Sequence, residues 1–326
     1  MITVFVYAAQ NKEDTQIVLD HLAKIQNEIP HKLSVIDITD DPEVYKAYIN
    51  KTPVIETGPY HLFYPFKAEE IYILLKTAQD RQNRLMENDP KYQEKLESAR
   101  TITKADRFSF WLTNHYMFVL NAILIIFVGL PFLAPVFEKY GADLPARVIY
   151  KIYSPLCHQL AYRSWFLFGE QSAYPREIAG LGTQLSFEQA TGLDSHDVLA
   201  AKSFNGNPTV GYKVAFCERD VAIYAGILVF GLLFSVTGKK LKSLPWYIWI
   251  IAGMIPIGID GISQLPSLIN TGITWLPIRE STPLLRTLTG ALFGITTAWY
   301  GFPLIEETML DSRKALKKKF ALGGNK

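Results

Sequence analysis

Cysteine is almost absent from this chain: its 326 residues include two, Cys157 and Cys217. Two thiols close at most one bridge, so no disulfide framework is implied. No Cys-x-x-Cys occurs, which removes the usual device for fast dithiol exchange. A dominant charge is lacking too, since 33 Lys and Arg stand against 31 Asp and Glu for a formal net charge of +2. With no extended basic stripe, nucleic acid is excluded as a partner. His21, His31, His61, His115 and His196 show no ligand spacing with another His or Cys, and read as surface or interfacial residues. The opening run Met1-Ile2-Thr3-Val4-Phe5-Val6-Tyr7 lacks a basic n-region and a long apolar h-region. It is therefore not read as a signal peptide, and the first domain is expected in the cytoplasm.

What is present is unevenly spread. The chain is 49% hydrophobic and 20% charged, but charge concentrates in residues 1–107 and long apolar runs in the remainder. That split predicts a soluble module followed by a membrane module. The expected order is a domain over 1–80, a charged helical linker over 81–107, a transmembrane helical domain over 108–310, and a basic cytoplasmic tail over 311–326. About 20 apolar residues cross a bilayer as a helix. Residues 110–133, 221–236, 247–262 and 284–305 approach that length, giving a bundle of about four helices. Pro131 and Pro135 are expected to end or bend the first. Trp246, Tyr247 and Trp249 fit an interfacial aromatic belt.

Basic clusters set the orientation. Arg100, Lys104 and Arg107 precede the first span; Lys239, Lys240 and Lys242 lie between the second and third; Arg313, Lys314, Lys317, Lys318 and Lys319 follow the fourth. An even number of spans puts all three on one face, which the positive-inside rule assigns to the cytoplasm with both termini. Residues 138–220 and 263–283 then lie outside. Within them, 148–168 reads as an interfacial or re-entrant segment broken by Pro155 and carrying Lys151 and Arg163. Residues 180–211 read as a loop with one or two short helices, one over 195–202 capped by Ser195.

The first module reads as strand 2–8, helix 14–29 with Ile17, Val18, Leu22 and Ile25 inward, strand 32–38, and a short helix at 43–49. A hairpin around Gly58-Pro59 and a helix over 67–79 complete it. This βαβ then ββα order resembles the thioredoxin fold of glutaredoxin-like proteins, and Thr52-Pro53 falls where that family places a cis-proline. The fold class is thus mixed: an α/β thioredoxin-like domain plus an α-helical transmembrane bundle. The chain departs from the family where its redox motif belongs, because Ala8-Ala9-Gln10-Asn11-Lys12-Glu13 holds no cysteine. Without a thiolate there is no exchange chemistry. The module is expected to dock a cytoplasmic protein partner, with glutathione-style binding at the proline loop as the alternative.

Polar residues converge at the outer surface in this topology: Cys157-His158-Gln159, Cys217-Glu218-Arg219-Asp220, Arg163, Asp260, Gln264, Arg279, Glu280 and Arg286. Asp260 and Arg286 lie inside apolar spans, where an ionisable group costs at least a few kcal/mol unless paired. A direct Asp260–Arg286 ion pair between two helices is one expectation. The excess of Arg163, Arg219, Arg279 and Arg286 over carboxylates leaves room for an anion or lipid headgroup.

Cys157-His158-Gln159 with Arg163-Ser164, the stretch from Gly211 to Asp220, Asp260 with Gln264, Arg279-Glu280-Ser281 and Leu285-Arg286-Thr287 resemble a family of prokaryotic multi-pass membrane proteins with a domain of unknown function. The resemblance covers about residues 149–294. Many members place a second cysteine where Asp220 stands here. It supplies motifs and no reaction. The residues leave three readings open. Cys157, His158, Cys217 and Asp220 suit a zinc-like metal, although adjacent Cys157 and His158 aim poorly at one ion. Cys157 and Cys217 suit a membrane redox pair on an oxidising face. The arginines suit lipid or anion binding or transport. A purely structural staple competes with all three. For a catalytic metal, Asp260 or Glu280 is the candidate acid or base.

Overall fold

Strand β1 (Ile2–Ala8) is apolar on both faces because both are covered. Val4, Val6 and Ala8 pack on Val18 and Leu22 of α1 (Glu13–Ile25) and on Ile71 and Leu75 of α2 (Ala68–Asn88). Phe5 and Tyr7 turn the other way, onto Ile38 and Val54. The structure, a computed structural model, describes residues 1–8, 13–39, 52–92, 94, 98, 101–265 and 279–323. Strand β1 lies between parallel β2 (His31–Asp37) and antiparallel β3 (Val54–Thr57), and β4 (Tyr60–Phe63) completes a sheet of order β2–β1–β3–β4. The Thr52–Pro53 peptide is cis. Ile17, expected inward, is 54% exposed, because the buried stripe of α1 runs through Val18 and Leu22. Helix α2 continues to Asn88, beyond the expected boundary at 80. The helix expected over 43–49 and most of the Ala8–Glu13 stretch lie outside the described residues.

The chain divides into two units, Met1–Trp111 with Ser312–Lys326 and Leu112–Asp311. The end of the last helix belongs to the first unit. There Ala321 and Leu322 pack on the Phe5, Tyr7 and Val54 face, and Lys32 Nζ donates to Leu322 O at 2.8 Å. Lys318 Nζ reaches Glu56 Oε1 at 2.6 Å, and Lys319 Nζ reaches Asp106 Oδ2 at 2.8 Å. The basic stretch expected as a tail is therefore the end of a helix laid on the sheet.

Among the described residues three helices are long and apolar enough to cross a membrane: α3 (Lys104–Lys139), and, later in the chain, those over Glu218–Val236 and Pro283–Gly323. Pro131 and Pro135 do not end the first, because α3 runs on through both to Lys139.

Residues 138–220 fold, where a loop with an interfacial or re-entrant segment was expected. Helix α4 (Asp143–Tyr153), strand β5 (Ser164–Leu167), helices α5 (Phe187–Thr191) and α6 (Val198–Ser203), and strands β6 (Gly206–Asn207) and β7 (Gly211–Cys217) form it. Its antiparallel sheet has the order β5–β7–β6. Tyr162, Phe166, Tyr174 and Phe187 bury a core of its own. Asp197, not Ser195, caps α6, accepting from the Leu199 and Ala200 amides; the Ser195 hydroxyl is taken by Arg176 Nε at 3.0 Å.

Strand β7 leads directly into α7 (Glu218–Val236), followed by α8 (Trp246–Ile262) and α9 (Pro283–Gly323). Helix α8 is shorter than the other three and π-helical over Trp249–Met254. Trp249 is no free belt residue: its Nε1 donates to Thr297 Oγ1 at 3.0 Å and its ring stacks on Tyr300. Helices α7 and α9 meet backbone to backbone across small residues, as close apolar packing in lipid requires. A Cβ on Gly294 would lie 2.0 Å from Ile223 O, and one on Gly290 would lie 2.7 Å from Arg219 O. Gly294→Leu should therefore lower stability by about 1–3 kcal/mol through overpacking. Gly129→Ala, in α3 with nothing within 4 Å of the added carbon, should not. Thermal unfolding of the detergent-solubilised protein checks both.

Candidate functional site

Cys217 is the last residue of β7 and the residue before α7, with extended backbone (φ −74°, ψ 159°). Asp220 sits in the first helical turn, so its carboxylate reaches back and accepts from the Cys217 thiol at 2.8 Å. Cys157 arrives from the end of α4, where its amide donates to Tyr153 O at 3.1 Å. Gln159 then turns the chain with φ +53°. Its side-chain Nε2 donates to Tyr150 O and Ala215 O, both at 2.9 Å, which fastens the Cys157 segment to β7. The Cys157 sulfur accepts from the backbone amides of Gln159 (3.4 Å) and Cys217 (3.3 Å). Ligand atoms of Cys157, Cys217 and Asp220 consequently lie within 4.8 Å of one another. The neighbouring Cys157 sulfur, burial and the Asp220 carboxylate hold the Cys217 thiol well above its usual range.

The three residues share a cavity of about 320 Å³ with His158, Arg163, Arg219, Gln264 and Arg286. His158 is exposed and stays out of the sulfur–carboxylate cluster.

An ion network backs this cavity. Glu280, 4% exposed, accepts from Arg163 Nε at 2.9 Å and Arg176 Nη1 at 3.3 Å, and pairs closely with Arg286 Nη2. Arg286 also donates to Glu218 Oε2 at 3.2 Å and to Tyr162 O at 3.4 Å. Asp260 pairs closely with Arg219 and more loosely with Arg279, at 3.5 Å. The expected Asp260–Arg286 pair is not made directly: Gln264 stands between, donating to Asp260 and accepting from Arg286. Asp260 and Glu280, the candidate acid and base, serve here as counter-ions to guanidinium groups. Among the described residues of this network, Arg219 Nε, Arg286 Nε and Glu218 Oε1 are buried without a hydrogen-bond partner; Arg163 Nη2 also makes no hydrogen bond but lies 2.6 Å from Glu280 Oε1.

Residues 203–300 match a family described as predicted membrane protein (DUF2085). That match takes in Cys217, Asp220, Asp260, Glu280 and Arg286, and leaves Cys157, His158 and Arg163 outside. The uncharacterized protein MJ1492 of Methanocaldococcus jannaschii is 27% identical over 212 residues, which is 62% of this chain and all of that protein. More than a third of this chain thus has no counterpart in it. No solved structure matches. The apolar helices and the family agree that this is a membrane protein.

Three contributors were not singled out from the sequence. Glu218 and Arg176 had no visible partners until the chain folded. Lys213 occupies an inward position of β7, fully buried, with Nζ donating to Gln159 O at 3.0 Å and Lys202 O at 2.5 Å. Burial pushes its pKa down from 10.5 to about 7. Between those values the unfolded chain holds a proton that the folded chain lacks. Stability should therefore rise with pH from about 7 towards 10.5, with a slope of up to about 1.4 kcal/mol per pH unit. Below pH 7 both states are protonated and this contribution is flat. Denaturant unfolding of the wild type and of Lys213→Met across that window checks it, and the variant should lose the slope.

Proposed function

We propose that this protein is a multi-pass membrane protein that holds a divalent, thiophilic metal ion, zinc first among candidates, between Cys157, Cys217 and Asp220 at the outer face of the bilayer. The carrying observation is that three donors from segments sixty residues apart lie within 4.8 Å of one another. Two thiolates and a carboxylate are a zinc-compatible set, and three protein ligands beside a cavity leave a fourth position open to water or substrate. His158 is exposed at the rim, placed to orient what enters instead of ligating. The redox reading shares the proximity of the sulfurs, but the Cys217 thiol is already engaged by Asp220 and no Cys-x-x-Cys assists exchange.

The topology reading, with both termini cytoplasmic and α8 as a fourth crossing, has two supports. Asp106 in the first turn of α3 pairs with Lys319 near the end of α9, which supports a common face for the start of the first span and the end of the last, and so an even number of crossings. Helix α8 also pairs at its beginning with the Thr297–Tyr300 region of α9 and at its end, through Asp260, with the start of α7. Its 17 residues reach about 26 Å, close to the apolar thickness of a bilayer. The first unit is read as a thioredoxin-like domain without redox cysteines, serving as a cytoplasmic docking module. Its β2–β1–β3–β4 order and the packing of α1 and α2 on one face support that reading.

Detergent-purified protein should contain about one zinc per chain by elemental analysis, and Cys217→Ser and Asp220→Asn should each lower it severalfold or more. Metal-free wild-type protein whose thiols alkylate only after reduction would instead establish the redox pair. For the topology, green fluorescent protein fused after Lys326 should fluoresce, while alkaline phosphatase fused there should be inactive; the reverse pattern rejects it.

A further inference from the structure

Arginine dominates the lining of the cavity beside the thiols: Arg163, Arg219 and Arg286 stand on its wall with one carboxylate, Asp220. The carboxylates that pair with these arginines, Glu218, Asp260 and Glu280, lie behind that wall.

Arg219 and Arg286 both line the cavity, and each keeps a buried Nε–H with no acceptor among the described residues. Arg286 is 2% exposed, so a partner for it has to come from within the cavity. Buried polar groups in folded proteins are nearly always paired, and an orphan of this kind calls for a partner. Guanidinium forks match the oxygens of a phosphate group in geometry as well as in charge. Leu156, 56% exposed, forms part of the same wall and gives the mouth an apolar lip.

We propose that this cavity binds a phosphate oxyanion, held by Arg219 and Arg286, with Gln264 fixing Arg286 directly and Arg219 through Asp260. The source is either a soluble phosphate or the phosphodiester of a lipid headgroup. The site does not depend on the metal proposed above, and the two respond in opposite directions to one substitution. Asp220→Asn removes a metal ligand but also removes the negative charge on the cavity wall.

The test uses the full chain in detergent, with and without chelator treatment. Inorganic phosphate is titrated calorimetrically at constant ionic strength, and retained phosphatidylglycerol is counted by native mass spectrometry. One of the two should bind. Arg219→Gln should weaken it by about tenfold or more, and Arg219→Lys by less. Asp220→Asn should tighten it roughly threefold to tenfold, while zinc content falls. Phosphate binding with that pattern assigns a soluble ligand; phosphatidylglycerol retention with it assigns a lipid. Should Arg219→Gln prove unfolded, the Asp220→Asn and Arg219→Lys responses decide. Absence of both ligands, or binding indifferent to residues 219 and 220, overturns the proposal. Zinc loss on Asp220→Asn with no change in anion affinity rejects it while leaving the metal site standing.

Discussion

A guanidinium group held 2% exposed in the first turns of an apolar helix must be neutralised on the spot, and Arg286 obtains that from Glu280 and Glu218 together. Taking one partner out of such a buried pair costs roughly 3–5 kcal/mol, because the other charge is stranded. The arrangement also fixes position. Glu280 simultaneously accepts from Arg163 and Arg176, which belong to the region folded over 138–220, while Glu218 belongs to the first turn of α7. One ion network therefore ties that region to the first turns of α7 and α9. Since Cys217 directly precedes Glu218, the network also sets where the thiol stands.

The thiol centre is assembled mainly by backbone. Two main-chain amides address the Cys157 sulfur, and the Gln159 side chain bridges the Cys157 segment to β7 by two carbonyls. Lys213 closes the same junction from beneath, donating to Gln159 O. Packing adds to this, since Cys157 belongs to an apolar cluster with Tyr150, Tyr153, Val214 and Phe216, against which Cys217 packs. Close helix contacts do the equivalent work deeper in the bundle, where Gly290 and Gly294 let α9 lie against the α7 backbone.

The first unit is built around a strand covered on both faces. Helices α1 and α2 supply one cover and the end of α9 contributes to the other, through Ala321 and Leu322. Glu56, buried in β3, is neutralised by Lys318 and accepts from the Tyr7 hydroxyl at 2.9 Å. The end of the last membrane helix is thus structural material for this unit, and its lysines serve local ion pairs as well as any effect on orientation.

Apolar periodicity by itself determined where the long helices and the β1, β3 and β4 strands run, since burial selects residue type directly. The scarcity of cysteine pointed to Cys157 and Cys217, two segments that the fold brings together. Only the tertiary structure decided which polar groups meet. Residues 138–220 read as a loop because β5 and β7 pair across more than forty residues and β7 carries a buried lysine where alternation asks for an apolar side chain. Asp260 and Arg286 were rightly marked as needing partners, but the partners were Arg219 and Glu280, a choice set by helix rotation and depth. His158 falls outside the centre and Glu218 inside the network for the same reason. Sequence order says that residues are adjacent along the backbone, whereas side-chain direction, and hence chemistry, is set by how that backbone turns.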